Sequence, residues 1–287
     1  DSFHVAATKF AELVSERTNG EYKIEIYPNG TLGDESTMLD SMTMGMLDMG
    51  IITSGPFVNF SQMMGVLDMP YLFANNEEAY KVLDSEIGRE LLDTLEDAGL
   101  KGLAYAERGF RNLTNSVRPI NNADDLAGLK LRVMENEVYT ATFSALKVNA
   151  VPMAWSEALT AMQQGTIEAQ ENPLAMIETQ SFYEVCPYLI LTAHLRAWVY
   201  IAMGLAQYNR LSDSQKAVVD QAGAECQAYE HELFLDNEEK YYNQLQEQGM
   251  EFIEVDTQEF ADAMVSGVLP ILTDSQKKIY DAIEALA

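Results

Sequence analysis

The chain has 287 residues, 47% hydrophobic and 22% charged, which suits a folded protein of two ordinary domains or one large one and excludes a disordered chain. Its 18 basic and 45 acidic residues give a formal net charge of −27. That balance argues against nucleic acid or an anionic membrane surface as a partner, because phosphates would be repelled. It is most simply a solvated acidic surface and says nothing direct about a ligand. No apolar run approaches the ~18 residues a bilayer span needs, so the sequence reads as a soluble chain. The two cysteines, Cys186 and Cys226, form no CxxC, which excludes a zinc finger and a disulfide framework. They leave one disulfide or two buried thiols as alternatives. No signal peptide is visible, and the abrupt opening DSFHVAATKF suggests a processed or trimmed N-terminus.

Helices and short strands alternate along the chain, which favours an α/β fold. The first helix, HVAATKFAELVSERT, puts Val5, Ala6, Phe10, Leu13 and Val14 on one face, and Asn19-Gly20 should stop it. YKIEIYP alternates as a strand. ESTMLDSMTMGML is a helix whose stripe Met38, Leu39, Met42 and Met46 reads as core packing. DMGIIT is a buried strand followed by the loop SGPFVN, and loops at the carboxyl ends of strands are where open α/β sheets bind ligands. A capped, acidic helix pair covers LFANNEEAYKVLDSEIGRELLDTLEDAG. KGLAYAE is a strand, GFRNLTNSVRPI an extended, turn-rich stretch, and NNADDLAG a short helix before the strand LKLRVM. ENEVYTATFSALK and AWSEALTAMQQG are helices, each followed by a strand, VNAVPM and TIEAQ. In ENPLAMIETQSFYEV, Asn172 can cap a helix with Pro173 at its first position. LILTAH and LRAWVYIAMGLA are two strand-like runs. A long helical region begins near Leu211, with its period expected to break near Gly223. FIEVD is the last strand and the tail is helical. There are no internal repeats and no low-complexity linker, so any two domains are joined by structured crossings.

Catalytic motifs are missing. His4, His194 and His231 show no metal-ligand spacing, and the chain has no HExxH, GxSxG, P-loop or GxGxxG. Carboxylate pairs such as Asp124-Asp125 and Glu238-Glu239 are too common here to single out a dyad, and read as solvated helix faces. The arginines are more informative. Arg108, Arg111, Arg118, Arg132 and Arg196 are five of the eight and fall between residues 108 and 196. Arg132 lies in an apolar strand, where a guanidinium must be paired because it cannot neutralise itself. Its partner is either an internal Asp or Glu or a carboxylate arriving from outside, which the guanidinium fork matches bidentately.

At this point the series YPNGTLGDE, LDMGIIT, GFRNLTNSVRPI, DLAGLKLRV, VPMAWSEALTAMQQGTIEAQENP and FYEVCPYLILTAH resembles the substrate-binding proteins of tripartite ATP-independent periplasmic (TRAP) transporters. Each motif is weak alone, but the ordered set covers nearly the whole chain. The resemblance implies a two-lobed periplasmic-binding-protein fold, class II-like. Each lobe would be a mixed sheet flanked by helices, and a long helix would span both. It implies capture of an organic acid anion without chemistry, ATP or cofactor, and delivery to a permease driven by an ion gradient. The protein would be a periplasmic monomer, exported by a signal peptide that this sequence lacks. The alternatives are a ligand-sensing extracytoplasmic domain, or an enzyme with a base or metal beside the arginines.

Residue by residue, Arg132 in LKLRV resembles the family's carboxylate-clamping arginine, and Arg111 in GFRNLTN a second arginine of the same pocket. Asn172 resembles the asparagine at the ligand's carboxylate end, and Trp155 an aromatic that packs on the ligand. Thr53 and Ser54 match the first lobe's polar contribution. Glu171 and His194 would orient Arg111 as supporting residues, with Arg196 near them. His4 is expected to border the site. Glu135 would accept ligand hydroxyl groups, or else cap the helix behind it. GFRNLTN with VMEN resembles the sugar-acid branch, which favours a uronate or aldonate over a dicarboxylate, keto acid or amino-acid-like ligand. The lobes are expected at 1–108 with 198–237, and at 109–197 with 238–287. No metal site is expected.

Overall fold

A computed structural model of the chain describes residues 2–286, the side chains of Ser2, Leu235 and Asp236 excepted. It is a mixed α/β structure. The strands are β1 (Met49–Thr53), β2 (Leu100–Asn115), β3 (Lys130–Val133), β4 (Asn149–Pro152), β5 (Ala169–Pro173), β6 (Tyr188–Gly204) and β7 (Glu251–Ile253). Hydrogen-bonded neighbours follow the order β1-β6-β2-β5-β3-β4, with β7 beside β6. β1 with β6 and β2 with β5 are antiparallel; β3 with β4, β3 with β5 and β6 with β7 are parallel.

The chain divides into two compact units. One comprises Asp1–Met64, Val82–Arg108 and Trp198–Leu235; the other comprises Gly65–Lys81, Gly109–Ala197 and Asp236–Ala287. The second therefore takes in Gly65–Lys81, which lies within the range expected for the first lobe. The bonds that hold this segment are specific. Tyr71 N donates to His194 O at 2.9 Å, Tyr71 Oη to Thr192 O at 3.0 Å, and Asn136 Nδ2 to the buried Asp68 carboxylate at 3.0 Å.

In the first unit the helix Ser2–Arg17 buries Ala6, Phe10, Leu13 and Val14 against Leu103, Ala104, Val199, Ile201 and Cys226. Asn19 and Gly20, with φ of 50° and 77°, end it in the left-handed region. The helix Glu35–Thr43 buries Leu39 and Met42. Met46 lies past its end and is exposed, so the expected methionine stripe stops a turn early. The second unit has two apolar clusters. One joins Leu131 and Val133 of β3 to Tyr139, Phe143, Phe260 and Met264; the other joins Ala158, Ile177, Phe182, Leu189 and Leu245.

Five further expectations change. YKIEIYP has its alternation but no strand pairing among the described residues, because periodicity supplies a face and not a partner. SGPFVN is not all loop: Ser54–Phe57 forms one helical turn. KGLAYAE and GFRNLTN form the single 16-residue strand β2, whose path bends at Gly109 with φ of 96°. LILTAH and LRAWVYIAMG likewise form the single strand β6, and the left-handed Ala193 lies within it rather than ending it. The long helix runs unbroken from Asp213 to Glu247. Gly223 sits in it because a Cβ there would stand 3.0 Å from Leu103 O, so the glycine allows close approach and makes no break.

Candidate functional site

β3 alternates between core and site. Leu131 and Val133 face the apolar cluster, and Arg132, between them, points the other way and is buried. Its Nε donates to Met153 O at 2.9 Å, so the guanidinium edge turned toward any further partner is the Nη1–Nη2 fork. The same guanidinium lies 5.5 Å from the ring centroid of Trp155, which begins the helix Trp155–Gln163 and stacks on Phe182 at 5.4 Å. Trp155 thus joins core and site at once: one neighbour is apolar, the other a cation.

The β2–β5 pair carries the rest. In its antiparallel register Arg111 lies opposite Pro173, Asn112 opposite Asn172, Leu113 opposite Glu171 and Thr114 opposite Gln170. Alternation places Arg111 and Glu171 on one face, and Asn112, Thr114, Gln170 and Asn172 on the other. Both faces are hydrogen-bonded along their length.

On the first face Arg111 Nε donates to Glu171 Oε2 at 2.5 Å and Nη2 to Oε1 at 2.8 Å; Nη2 also reaches Glu171 O at 2.5 Å. His194 Nε2 stands 3.1 Å from Glu171 Oε2, and Thr192 Oγ1 stands 2.8 Å from His194 Nδ1. All four side chains are buried. The Arg111 guanidinium also lies 5.6 Å from the Tyr139 ring centroid. Its Nη1 has no partner among the described residues. Burial opposes charge on Glu171, but Arg111 and the His194 hydrogen bond outweigh it and hold the carboxyl down at about 2. Burial likewise opposes charge on Arg111, and Glu171 reverses the balance and raises its pKa. The His194 pKa is lowered, by burial first, against the pull of Glu171. The resting pair is therefore Arg111⁺ with Glu171⁻, beside a neutral imidazole.

On the second face Asn172 Nδ2 donates to Gln170 Oε1 and Gln170 Nε2 to Thr114 Oγ1, both at 2.6 Å. Asn172 is not the helix cap expected from the sequence. The following helix begins at Leu174 with Pro173 at its N-cap, which leaves Asn172 inside β5.

The other candidates are spread more widely. Glu135 is exposed, beside a groove of about 520 Å³ lined also by Asn136, Thr140, Pro152 and Ile271. The cap of the helix behind it is Asn136, whose side chain accepts from Tyr139 N at 2.9 Å. Arg196 is buried 5.4 Å from the Tyr80 ring and 5.5 Å from the Phe110 ring. Arg118 donates to the carbonyls of Asp125 and Ala127 and serves as a brace for that turn. The remaining candidates belong to the first unit. Thr53 gives its hydroxyl proton to Glu35 Oε2 at 2.6 Å, Ser54 is buried, and His4 is exposed. Arg108, also in that unit, lies 4.6 Å from the Phe3 ring. Sequence reading missed Gln170, Thr114 and Tyr139. The alternation Gln170-x-Asn172 was the available signal for the first. Cys186 and Cys226 are buried free thiols, each pushed up to about 12 by burial. No cluster of three or more His, Cys, Asp or Glu side chains that could hold a metal occurs among the described residues.

The arrangement presents guanidinium and amide donors on a firm sheet, chemistry that can hold an anion. Comparison with known proteins points the same way. The family model described as bacterial extracellular solute-binding protein, family 7 (DctP), matches residues 1–277. The 2,3-diketo-L-gulonate-binding periplasmic protein YiaO of Escherichia coli K12 is 35% identical over 288 residues, spanning 100% of this chain and 88% of that protein. A TRAP periplasmic solute-binding protein of Polaromonas sp. JS666, bound to D-erythronate, superposes with a TM-score of 0.95 at 35% identity, covering 99% of this chain and 94% of that one. Another from Roseobacter denitrificans OCh 114, with bound L-galactonate, gives a TM-score of 0.93 at 35% identity, covering 100% and 94%. Fold and likeness together define a two-lobed solute-binding protein of the transport class. The chain belongs to the DctP family, bacterial extracellular solute-binding proteins of TRAP transporters. Its relatives are periplasmic, and no helix among the described residues is long and apolar enough to cross a membrane.

Proposed function

We propose that this chain captures a sugar acid, an aldonate or uronate, in the periplasm and hands it unchanged to a TRAP permease. The observation that carries the reading is Arg132: a guanidinium buried in β3, anchored through Nε by Met153 O and backed by Trp155. A guanidinium anchored in this way has a fork edge of the shape that matches a carboxylate, and the ring supplies a flat apolar wall for a carbon chain. Arg111 would add its Nη1 from the opposite face of the β2–β5 pair, since Glu171 occupies the rest of its donors. Asn172 contributes its amide. The relatives that hold D-erythronate and L-galactonate support the ligand class.

Titration calorimetry of the purified chain with L-galactonate, D-erythronate and succinate tests the reading. Saturable binding of a sugar acid, tighter than that of succinate, is expected. Arg132→Ala should weaken it by about 2–5 kcal/mol, the cost of truncating one partner of a buried charge pair. Arg132→Lys keeps the charge but not the fork, and should fall between. Unchanged affinity in Arg132→Ala sinks the assignment.

A further inference from the structure

The second face of the β2–β5 pair carries a directed hydrogen-bond relay that ends on Asn172. Thr114, Gln170 and Asn172 are each no more than 1% exposed. The relay starts at Thr114, whose Oγ1 donates to Gln170 O at 3.5 Å, so the same oxygen is turned to accept from Gln170 Nε2 at 2.6 Å. With its nitrogen on Thr114, Gln170 can offer Asn172 only its carbonyl oxygen, and that oxygen takes one Nδ2 proton at 2.6 Å. Flipping the Asn172 amide would set two acceptor oxygens against each other, so the relay allows one orientation.

The consequence lies at the far side of that amide. That bond uses one Nδ2 proton and leaves Asn172 Oδ1 and the second Nδ2 proton over, on a side chain that is 1% exposed. Buried polar atoms are normally bonded, so an acceptor and a donor side by side mark a place for a ligand that presents a donor and an acceptor side by side. A bare carboxylate offers acceptors only. A carboxylate with a hydroxyl on the adjacent carbon offers both: a carboxylate oxygen for the N–H, and a hydroxyl proton for Oδ1.

Resting on the sugar-acid reading above, we infer that Thr114 and Gln170 are positioning residues that fix the Asn172 amide to select acids with a 2-hydroxyl group. Neither residue needs to touch the ligand. The relay sets only which way the amide faces, so its loss should show as a change in ligand choice and not as a uniform loss of affinity.

The test measures dissociation constants for D-erythronate and L-galactonate against their 2-deoxy counterparts, with the natural chain, Thr114→Val and Thr114→Ser. The natural chain should prefer the 2-hydroxy acids. Thr114→Val, which keeps shape and removes the acceptor for Gln170, should lower affinity for the 2-hydroxy acids about five- to tenfold and leave the 2-deoxy acids within about twofold. Thr114→Ser restores the hydroxyl and should restore the preference. Should Thr114→Val not fold, Gln170→Met interrupts the same relay and should show the same selective loss. Equal losses for both ligand classes, an unchanged preference, or failure of Thr114→Ser to rescue overturns the relay and leaves the sugar-acid reading standing. No binding of either sugar acid by the natural chain overturns that reading, and the relay's role with it.

Discussion

Replacing Glu171 by Met should cost more than replacing Arg111 by Met, although the two residues form one pair. Both are fully enclosed, and two side-chain bonds of 2.5 and 2.8 Å join them. Breaking a buried pair by removing one partner costs about 3–5 kcal/mol, because the survivor is left charged in a poor solvent. The survivors differ. Without the Glu171 side chain, the guanidinium cannot shed its proton and keeps the backbone carbonyl of residue 171, the Tyr139 ring and the more remote Asp68 carboxylate, none of them a close counter-charge. Without Arg111, Glu171 still has His194 Nε2 at 3.1 Å, and that imidazole can take up a proton to become its counter-ion. Glu171→Met is therefore expected near the upper end of the range and Arg111→Met near the lower. The double variant should fall short of the sum by about 2 kcal/mol, as for residues sharing one network. Equilibrium urea unfolding with an unchanged m-value measures these differences. NMR titration of the His194 ring reads the mechanism. Arg111 lowers the His194 pKa, so its removal must raise it. A His194 pKa that stays put in Arg111→Met, or an Arg111→Met cost equal to that of Glu171→Met, refutes the reasoning.

The same network sets an acid response. The Glu171 pKa is lowered from 4.5 to about 2, so the folded state binds fewer protons; the stability it contributes is present above 4.5 and lost as pH falls toward 2. His194 is lowered from 6.5 and adds an earlier loss beginning below that pH. Melting temperature should thus fall steadily from pH 7 to pH 3, and the slope below pH 4.5 should flatten in Glu171→Met; equal slopes in the two proteins would falsify the assignment. In the first unit, Gly88→Ala should destabilise by roughly 3 kcal/mol or more, since its Cβ would stand 2.2 Å from Leu83 O. Gly128→Ala, with φ of 80° and open space around it, should cost only about 1 kcal/mol by melting.

Much of the fold was legible because burial writes periodicity into sequence. The first helix announces its face through Ala6, Phe10, Leu13 and Val14 and its end through Asn19-Gly20. What failed to show was continuity. β2 and β6 each read as two segments, because Gly109 and the polar run around His194 look like punctuation. Inside a sheet, the ladder carries such residues without a break. Gly223 misled in the same way: a glycine in a helix suggests a break until a neighbouring carbonyl shows why no Cβ fits. In the candidate site, Arg132 stood out because charge inside an apolar strand is costly. The bonds of Arg111 to Glu171, with His194 behind, came from the family resemblance and are present in the structure; residue chemistry alone did not give them, since Glu171 lies 60 residues away and only the β2–β5 register brings them together.

The acidic surface and an anionic ligand are reconciled by where the charges lie. The net charge of −27 is dominated by side chains in water, where salt confines their influence to about 10 Å. The second unit gathers Arg111, Arg132 and Arg196 in its interior, where Glu171 answers Arg111 and the Arg196 charge acts on Glu238. Charges there are screened far less than charges in water. A guanidinium in that interior therefore acts strongly on an anion at short range, while the acidic surface acts on it only weakly.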